Sequence, residues 1–99
     1  MKKFENKKTT IEDGKGGFET YANLVKACSN YIPKGLERDG WSPDLQKESF
    51  RVEESVSKNK STIEIEDNDI VLIKKFCSNF PWAMRHKDLV DFDDYIKQL

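Results

Sequence analysis

The strongest structural signal in the sequence is an apolar stripe that ends at a proline. Its residues recur at spacings of three and four, which places them on one face of an α-helix. They are Ile70, Ile73, Phe76, Cys77 and Phe80. Asp67 or Asn68 is a suitable N-cap, because both side chains accept hydrogen bonds from backbone N–H groups. Pro81 cannot continue a helix, so the sequence predicts a helix after residue 67 and a bend at residues 80–82.

Two further segments carry stripes of the same period. The first spans residues 18–31, where Glu19 or Thr20 can serve the N-terminal turn, and it ends where Ile32-Pro33 favours extended backbone. The second begins at Lys87-Asp88. The stripe residues are Tyr21, Leu24, Val25, Cys28 and Tyr31 in the first segment and Leu89, Phe92, Ile96 and Leu99 in the second. Each segment is therefore predicted to form a helix with one buried face.

Residues 43–56 fit two interpretations. Ser42 as N-cap and Pro43 at the first helical position are typical of a helix start. Phe50 falls off the helical stripe, however, and apolar residues alternate from Phe50 onward and again in residues 62–66, which is typical of a β-hairpin. We favour the helix, because the early part of the segment is rich in helix-forming residues.

Residues 1–17 are predicted to form a flexible basic arm. Phe4 and Ile11 are its only large apolar residues besides Met1, and so polar a segment buries too little surface to offset its loss of conformational entropy. The glycine-rich stretch at its end is typical of a hinge. The predicted fold class is mainly α: a small four-helix single domain at residues 18–99, with a short two-stranded β element near residues 50–65 as the alternative.

The charges of the chain nearly balance. Seventeen lysines and arginines stand against 18 acids, giving a formal net charge of −1, which provides no strong field to attract nucleic acid or anionic lipid. Cys28 and Cys77 are far apart and form no CxxC motif, which favours free thiols in a reducing compartment. We see no signal peptide and no apolar stretch long enough to span a membrane. We therefore expect a cytoplasmic protein without membrane contact.

His86 is the only histidine and the first candidate for general-base catalysis. Cys77 is the nearest nucleophile in the sequence, but it lies on an apolar stripe, where a thiol stays protonated. A surface or helix-capping role is therefore expected for His86. The two cysteines match no zinc spacing, and the acids at 91, 93 and 94 lack the glycine and final glutamate of a calcium loop. We expect no enzymatic activity, no catalytic residue, no cofactor and no metal.

Aromatic residues in loops are the best candidates for a binding site. Trp41 and Trp82 both lie near prolines in predicted loops, where an indole either fills the edge of the core or anchors a partner. Charged residues follow Trp82 in the corner and on the last helix. The predicted partner-binding residues are Trp41, Trp82, Arg85, His86, Asp91 and Asp94.

Two segments resemble short proteins encoded by tailed phages and prophages. They are TYANLVKACSNYIPKG, residues 20–35, and TIEIEDNDIVLIKKFCSNFPWAMRHKDLVDFDDYI, residues 62–96. The shared features are a helix with a TYA-type start, a Pro-Lys-Gly break, an acidic helix start and a tryptophan corner before a terminal helix. Residues 36–61 and the N-terminal arm depart from this pattern. The resemblance implies an accessory phage protein that acts inside a bacterial cell.

These observations predict a non-enzymatic, phage-type accessory protein that binds a host or phage protein as an inhibitor or adaptor, including in anti-defence. The alternative is a small DNA-binding transcriptional regulator, whose recognition helix would present Gln46, Lys47 and Arg51. Glutamates on the same segment weaken that alternative, so nucleic acid is the less favoured partner. A homodimer stays open, because the apolar stripes are wide for so short a chain.

Overall fold

The structure, a computed structural model, describes all 99 residues and contains four α-helices, a 3₁₀ turn and two antiparallel two-stranded sheets. In chain order the elements are β1 (Lys2–Glu5), β2 (Lys8–Glu12), β3 (Phe18–Thr20), α1 (Tyr21–Ser29), the 3₁₀ turn (Glu37–Asp39), α2 (Pro43–Ser55), β4 (Thr62–Ile65), α3 (Asp67–Cys77) and α4 (Lys87–Gln98). The fold is mixed α/β, so the prediction of a mainly α domain is wrong.

The difference from the prediction originates in residues 1–17, which were expected to be an arm. Strand β1 pairs antiparallel with β4, and Phe4 lies opposite Ile63. Both side chains are fully buried. Phe4 is isolated in the sequence, but its apolar neighbour comes from a distant segment. Local composition therefore underestimates how much surface this strand buries.

Strands β2 and β3 form an antiparallel hairpin, and the glycine-rich stretch between them is its turn. Asp13 Oδ1 accepts hydrogen bonds from the N–H groups of Lys15, at 2.7 Å, and Gly17, at 3.1 Å. Gly14 and Gly16 have φ angles of 78° and 85°, a region that favours glycine. The stretch interpreted as a hinge is thus a hydrogen-bonded turn, and it lets Ile11 reach the core.

Four helices lie in the four predicted segments. Helix α1 begins at Tyr21, later than predicted, because residues 18–20 extend as β3; its N-cap Thr20 accepts a hydrogen bond from Asn23 N–H. The helical interpretation of residues 43–56 is confirmed by α2, and the hairpin near 50–65 is wrong. Strand β4 exists, but its partner is β1 rather than the neighbouring segment.

Helix α4 connects both sheets to the helical core. The hydroxyl of Tyr95 accepts a hydrogen bond from Glu5 N–H in β1 at 2.7 Å. Asp88 Oδ2 accepts two hydrogen bonds from Thr10 in β2, from N–H and from Oγ1, at 2.8 Å each. Because each sheet has only two strands, each strand has one edge without a neighbouring strand. Tyr95 and Asp88 accept hydrogen bonds from residues of β1 and β2, and these bonds attach α4 to the N-terminal part of the chain.

None of the four helices combines the length and apolarity that crossing a membrane requires.

The core is formed by 19 buried hydrophobic residues, which come from all four helices, from β1, β2 and β4, and from Val56 directly after α2. Val25 of α1, Ile73 of α3 and Phe92 of α4 are fully buried within it. The sheets and the helices therefore share a single core.

Replacement of Phe4 by alanine tests whether β1 belongs to this core. Because Phe4 is 0% exposed, we expect Phe4→Ala to lower the free energy of unfolding by about 3–5 kcal/mol. The matched control is Phe18→Ala, whose side chain is 43% exposed and which should cost less than about 1 kcal/mol. Urea denaturation followed by circular dichroism measures both. Equal, small effects of the two changes would show that β1 does not pack on the domain.

Candidate functional site

A groove of about 870 Å³ lies between the end of α1, the loop that follows it and the bend after α3. We call it the aromatic groove, after the five rings that line it: Tyr31, Trp41, Phe76, Phe80 and Trp82. Pro33 and Pro81 lie beside these rings. The two loop tryptophans, which are far apart in the sequence, thus line the same groove.

The rings of the groove form two groups. Phe80 contacts Tyr31 at a centroid distance of 5.6 Å and Trp82 at 4.6 Å, with tilted and edge-to-face geometry respectively. Trp41 stacks on Phe76, with an angle of 14° between the ring planes and 6.5 Å between the centroids. Both tryptophans are half-buried against the core. Each indole therefore fills the edge of the core and also presents part of its surface to the groove.

Asn79 shapes the bend that carries Phe80 and Trp82. Its φ angle of 56° lies in the left-handed region, which asparagine tolerates better than most residues. Asn79 N–H donates to Asp93 Oδ1 at 2.7 Å, and Lys97 Nζ donates to Asn79 Oδ1 at 2.8 Å. Lys97 also pairs with Asp93 Oδ2 at 2.7 Å. Two side chains of α4 thus hold this bend in place.

Asp93 is ionised more readily than an ordinary aspartate. Its partial burial opposes ionisation, but the hydrogen bonds from Lys97 and from Asn79 N–H outweigh that effect and lower its pKa. The carboxylate is therefore the stable form at neutral pH. The bend depends on this charge, because an ionised carboxylate accepts both hydrogen bonds without a competing proton.

The predicted partner-binding residues are distributed over two adjoining grooves. Trp41 lies in the aromatic groove, and Trp82 lies between it and a second groove of about 890 Å³. Arg85, His86 and Asp91 line this second groove. Asp94 is exposed and lines neither groove. The structure thus brings together five of the six predicted residues, with Trp82 as the common wall.

His86 is the N-cap of α4. Its Nδ1 accepts a hydrogen bond from Asp88 N–H at 3.0 Å, so the helix-capping role expected from the sequence is the one observed. Hydrogen bonds from Thr10 lower the pKa of the neighbouring Asp88. The imidazole and this carboxylate are therefore both engaged in holding the start of α4.

Four exposed apolar residues that sequence reasoning missed border the grooves. Tyr31, Phe50, Met84 and Val90 are 62%, 63%, 53% and 61% exposed. Phe50 lies in a third groove of about 300 Å³, which shares Trp41 and Asn30 with the aromatic groove. We call the three connected grooves, with these four residues, the apolar strip. The sequence signal for the exposure of Phe50 was its position off the apolar stripe of α2.

The two cysteine thiols lie away from the strip. Cys28 and Cys77 are free, buried thiols inside the core, and neither lines the three grooves. A hydrogen bond with Cys28, together with burial, raises the pKa of Cys77 well above its ordinary value. Nowhere do three histidine, cysteine or acidic side chains converge as metal ligands would. Neither thiol is therefore exposed at the strip.

Comparison with known proteins finds no relative of this chain. No family model matches the chain, and no curated protein or solved structure is significantly similar to it. Function is therefore inferred from the geometry of the aromatic groove and the apolar strip.

The charge of Asp93 makes part of the stability pH-dependent. Because the folded-state pKa is lower than the unfolded value of about 3.9, its contribution is present above about pH 4 and is lost as the pH falls through the folded value. We expect Asp93→Asn to lower the free energy of unfolding at pH 7 by about 1–2 kcal/mol. The difference from the wild type should shrink as the solution is acidified.

Urea denaturation at a series of pH values measures this difference. Asp94→Asn is the control, because Asp94 is exposed and has no ion pair; it should leave the free energy of unfolding nearly unchanged at every pH. A destabilisation by Asp93→Asn that stays constant down to strongly acidic pH would contradict the assigned role of the carboxylate.

Proposed function

We propose that this chain is a non-enzymatic, phage-type accessory protein that binds a host or phage protein as an inhibitor or adaptor, including in anti-defence. The observation that carries the proposal is the apolar strip, in which Trp41 and Trp82 lie among exposed Tyr31, Phe50 and Met84. Of the seven large hydrophobic residues that are exposed in the whole chain, four border this one surface.

The composition of the strip is typical of a protein-binding surface. Contiguous exposed apolar patches are uncommon on soluble monomers and mark interaction sites. Tryptophan, tyrosine and arginine contribute most of the energy in such interfaces, and methionine is enriched there. Arg85 adds a cationic group that makes no ion pair within the protein. These features support a partner that covers the strip.

The resemblance to phage proteins and the free thiols support a place of action in the cytoplasm of a bacterial host. Cys28 and Cys77 lie in the core as thiols rather than as a disulfide, which suits a reducing compartment.

A second copy of the chain is the other occupant that the strip could accept. Measurement of the apparent mass of the protein in solution tests whether it forms a homodimer.

The DNA-binding alternative gains no support from α2. Arg51 of this helix is paired with Asp69, and Glu48 is paired with Lys75 of α3. One of the two cationic side chains that would contact DNA is thus engaged with a carboxylate, and the helix also carries Glu53 and Glu54 beside the exposed Lys47. We therefore keep a protein as the proposed partner.

Substitution of the two tryptophans tests the proposal. Trp41→Ala and Trp82→Ala should each reduce capture of the partner from host or infected-cell lysate by at least about tenfold, because truncating a central interface tryptophan costs roughly 2 kcal/mol or more. Affinity purification followed by quantitative mass spectrometry measures the loss. Circular dichroism verifies that each variant is folded.

Val71→Ala is the matched control. Val71 is 65% exposed, like the residues of the strip, but it lines none of the three grooves. It should leave capture unchanged. If no protein is enriched over an empty resin, or if every enriched protein is kept by both tryptophan variants, the proposed function is wrong.

A further inference from the structure

We infer that Cys28 and Cys77 form an intramolecular disulfide when the protein meets a peroxide, and that this bond crosslinks two walls of the aromatic groove. The bond joins the end of α1 to the end of α3. The inference goes beyond the proposed function, because it concerns a covalent modification of the chain that is measured on the purified protein without a partner.

The two cysteines occupy matching positions on helices that pack against each other. Cys28 is the residue before the last of α1, and Cys77 is the last residue of α3. Their side chains are 0% and 1% exposed and belong to the same hydrophobic cluster. Each thiol therefore lies in the core, in the last turn of its helix.

Sequence neighbours of both cysteines line the aromatic groove, whereas the cysteines themselves do not. These neighbours are Ala27, Asn30 and Tyr31 around Cys28 and Phe76, Ser78 and Phe80 around Cys77. The rings of Tyr31 and Phe80, each three residues after its cysteine, have their centroids 5.6 Å apart. The two segments that carry the cysteines therefore lie side by side at the groove.

The two thiols are also adjacent inside the core. A hydrogen bond with Cys28, followed in size by burial, raises the pKa of Cys77 well above its ordinary value. Hydrogen-bonded thiols place their sulfur atoms next to each other, so formation of an S–S bond of about 2.0 Å requires only a further approach of two neighbouring side chains.

The reaction with hydrogen peroxide needs no other reactant. One sulfur, as the thiolate, attacks the O–O bond and becomes a sulfenic acid, and the hydroxide that leaves takes up the thiol proton to form water. The second sulfur, as the thiolate, attacks the sulfenic sulfur, so that the S–S bond forms and a second hydroxide leaves as water. Two thiols thus lose two electrons and two protons, and one peroxide is reduced to two molecules of water.

Burial makes this reaction depend on local opening of the helix ends. The thiolate is the attacking species, and burial together with the raised pKa of Cys77 disfavours it in the closed core. Both cysteines lie in the last turn of a helix, however, where the chain opens at the lowest cost. Once one sulfur is a sulfenic acid, the other traps it rapidly, because the fold holds the two side chains together.

The disulfide changes both the stability and the freedom of the groove. It closes a loop of about 50 residues, which restricts the unfolded chain and so favours the folded state. It also ties the loop that carries Tyr31 to the bend that carries Phe80. The distance between these two walls then no longer varies with opening of the helix ends.

The test treats the purified full chain with a small excess of hydrogen peroxide and then blocks free thiols with N-ethylmaleimide under denaturing conditions. The untreated protein takes up two maleimides. The oxidised protein should take up none, and peptide mapping without reductant should recover Cys28 joined to Cys77. Oxidation of the exposed Met84 adds oxygen but leaves maleimide uptake unchanged, so the two modifications are distinguished.

Thermal unfolding measures the effect of the bond on stability. The melting temperature of the oxidised protein should exceed that of the reduced protein by about 10 °C or more, and dithiothreitol should reverse the change. Cys28→Ala and Cys77→Ala are the matched controls, because each keeps one thiol and cannot form the bond. Circular dichroism verifies their folding, and peroxide should not raise the melting temperature of either variant.

Hydrogen exchange tests whether the bond joins the walls of the groove. Tyr31 N–H donates to the carbonyl of Cys28 at 3.2 Å, and Ser78 N–H donates to that of Lys74 at 3.0 Å. Both should exchange at least about threefold more slowly in the oxidised protein, because the bond suppresses local opening. Leu89 N–H, at the start of α4, is the control and should change less.

Three results would overturn the inference. The first is uptake of two maleimides by the peroxide-treated protein. The second is oxidation of the cysteines to sulfinic acids, or a disulfide-linked dimer on a non-reducing gel, in place of the internal bond. The third is an equal change in exchange at Tyr31, Ser78 and Leu89, which would show that the bond does not act on the groove.

Discussion

The rest of the molecule depends on the packing of Phe92 between Tyr21 and Trp82. Its fully buried ring meets Tyr21 at 5.2 Å on one side and Trp82 at 6.2 Å on the other, in edge-to-face geometry. Tyr21 continues through Tyr95 to Phe4 of β1, with centroid distances of 5.4 and 5.7 Å. One continuous set of rings therefore connects the N-terminal strand to the aromatic groove.

Helix α4 makes this connection in hydrogen bonds as well as in packing. Asp88 and Tyr95 bind the strands, whereas Asp93 and Lys97 bind Asn79 in the bend. Because the same helix holds both ends, the shape of the groove depends on residues that never touch it. The lowered pKa values of Asp88 and Asp93 reflect the hydrogen bonds that these carboxylates accept.

The surface that results combines rigidity with exposed apolar area. Trp41 and Trp82 pack against the core on one side and are partly open to solvent on the other. Both thiols are buried in the core, and the histidine caps helix α4. The grooves are thus lined mainly by aromatic and polar side chains held in place by the core and by α4.

The sequence by itself determined the four helices, the bend at Pro81 and the prominence of the two tryptophans, because helical periodicity, caps and prolines act over a few residues. The tertiary structure decided that residues 1–17 belong to the fold, since Phe4 gains its partner Ile63 only when β1 and β4 meet. It also decided that Trp41 and Trp82 share one groove. Contacts between distant segments carry no local pattern, and these contacts set both the mixed α/β fold and the apolar strip.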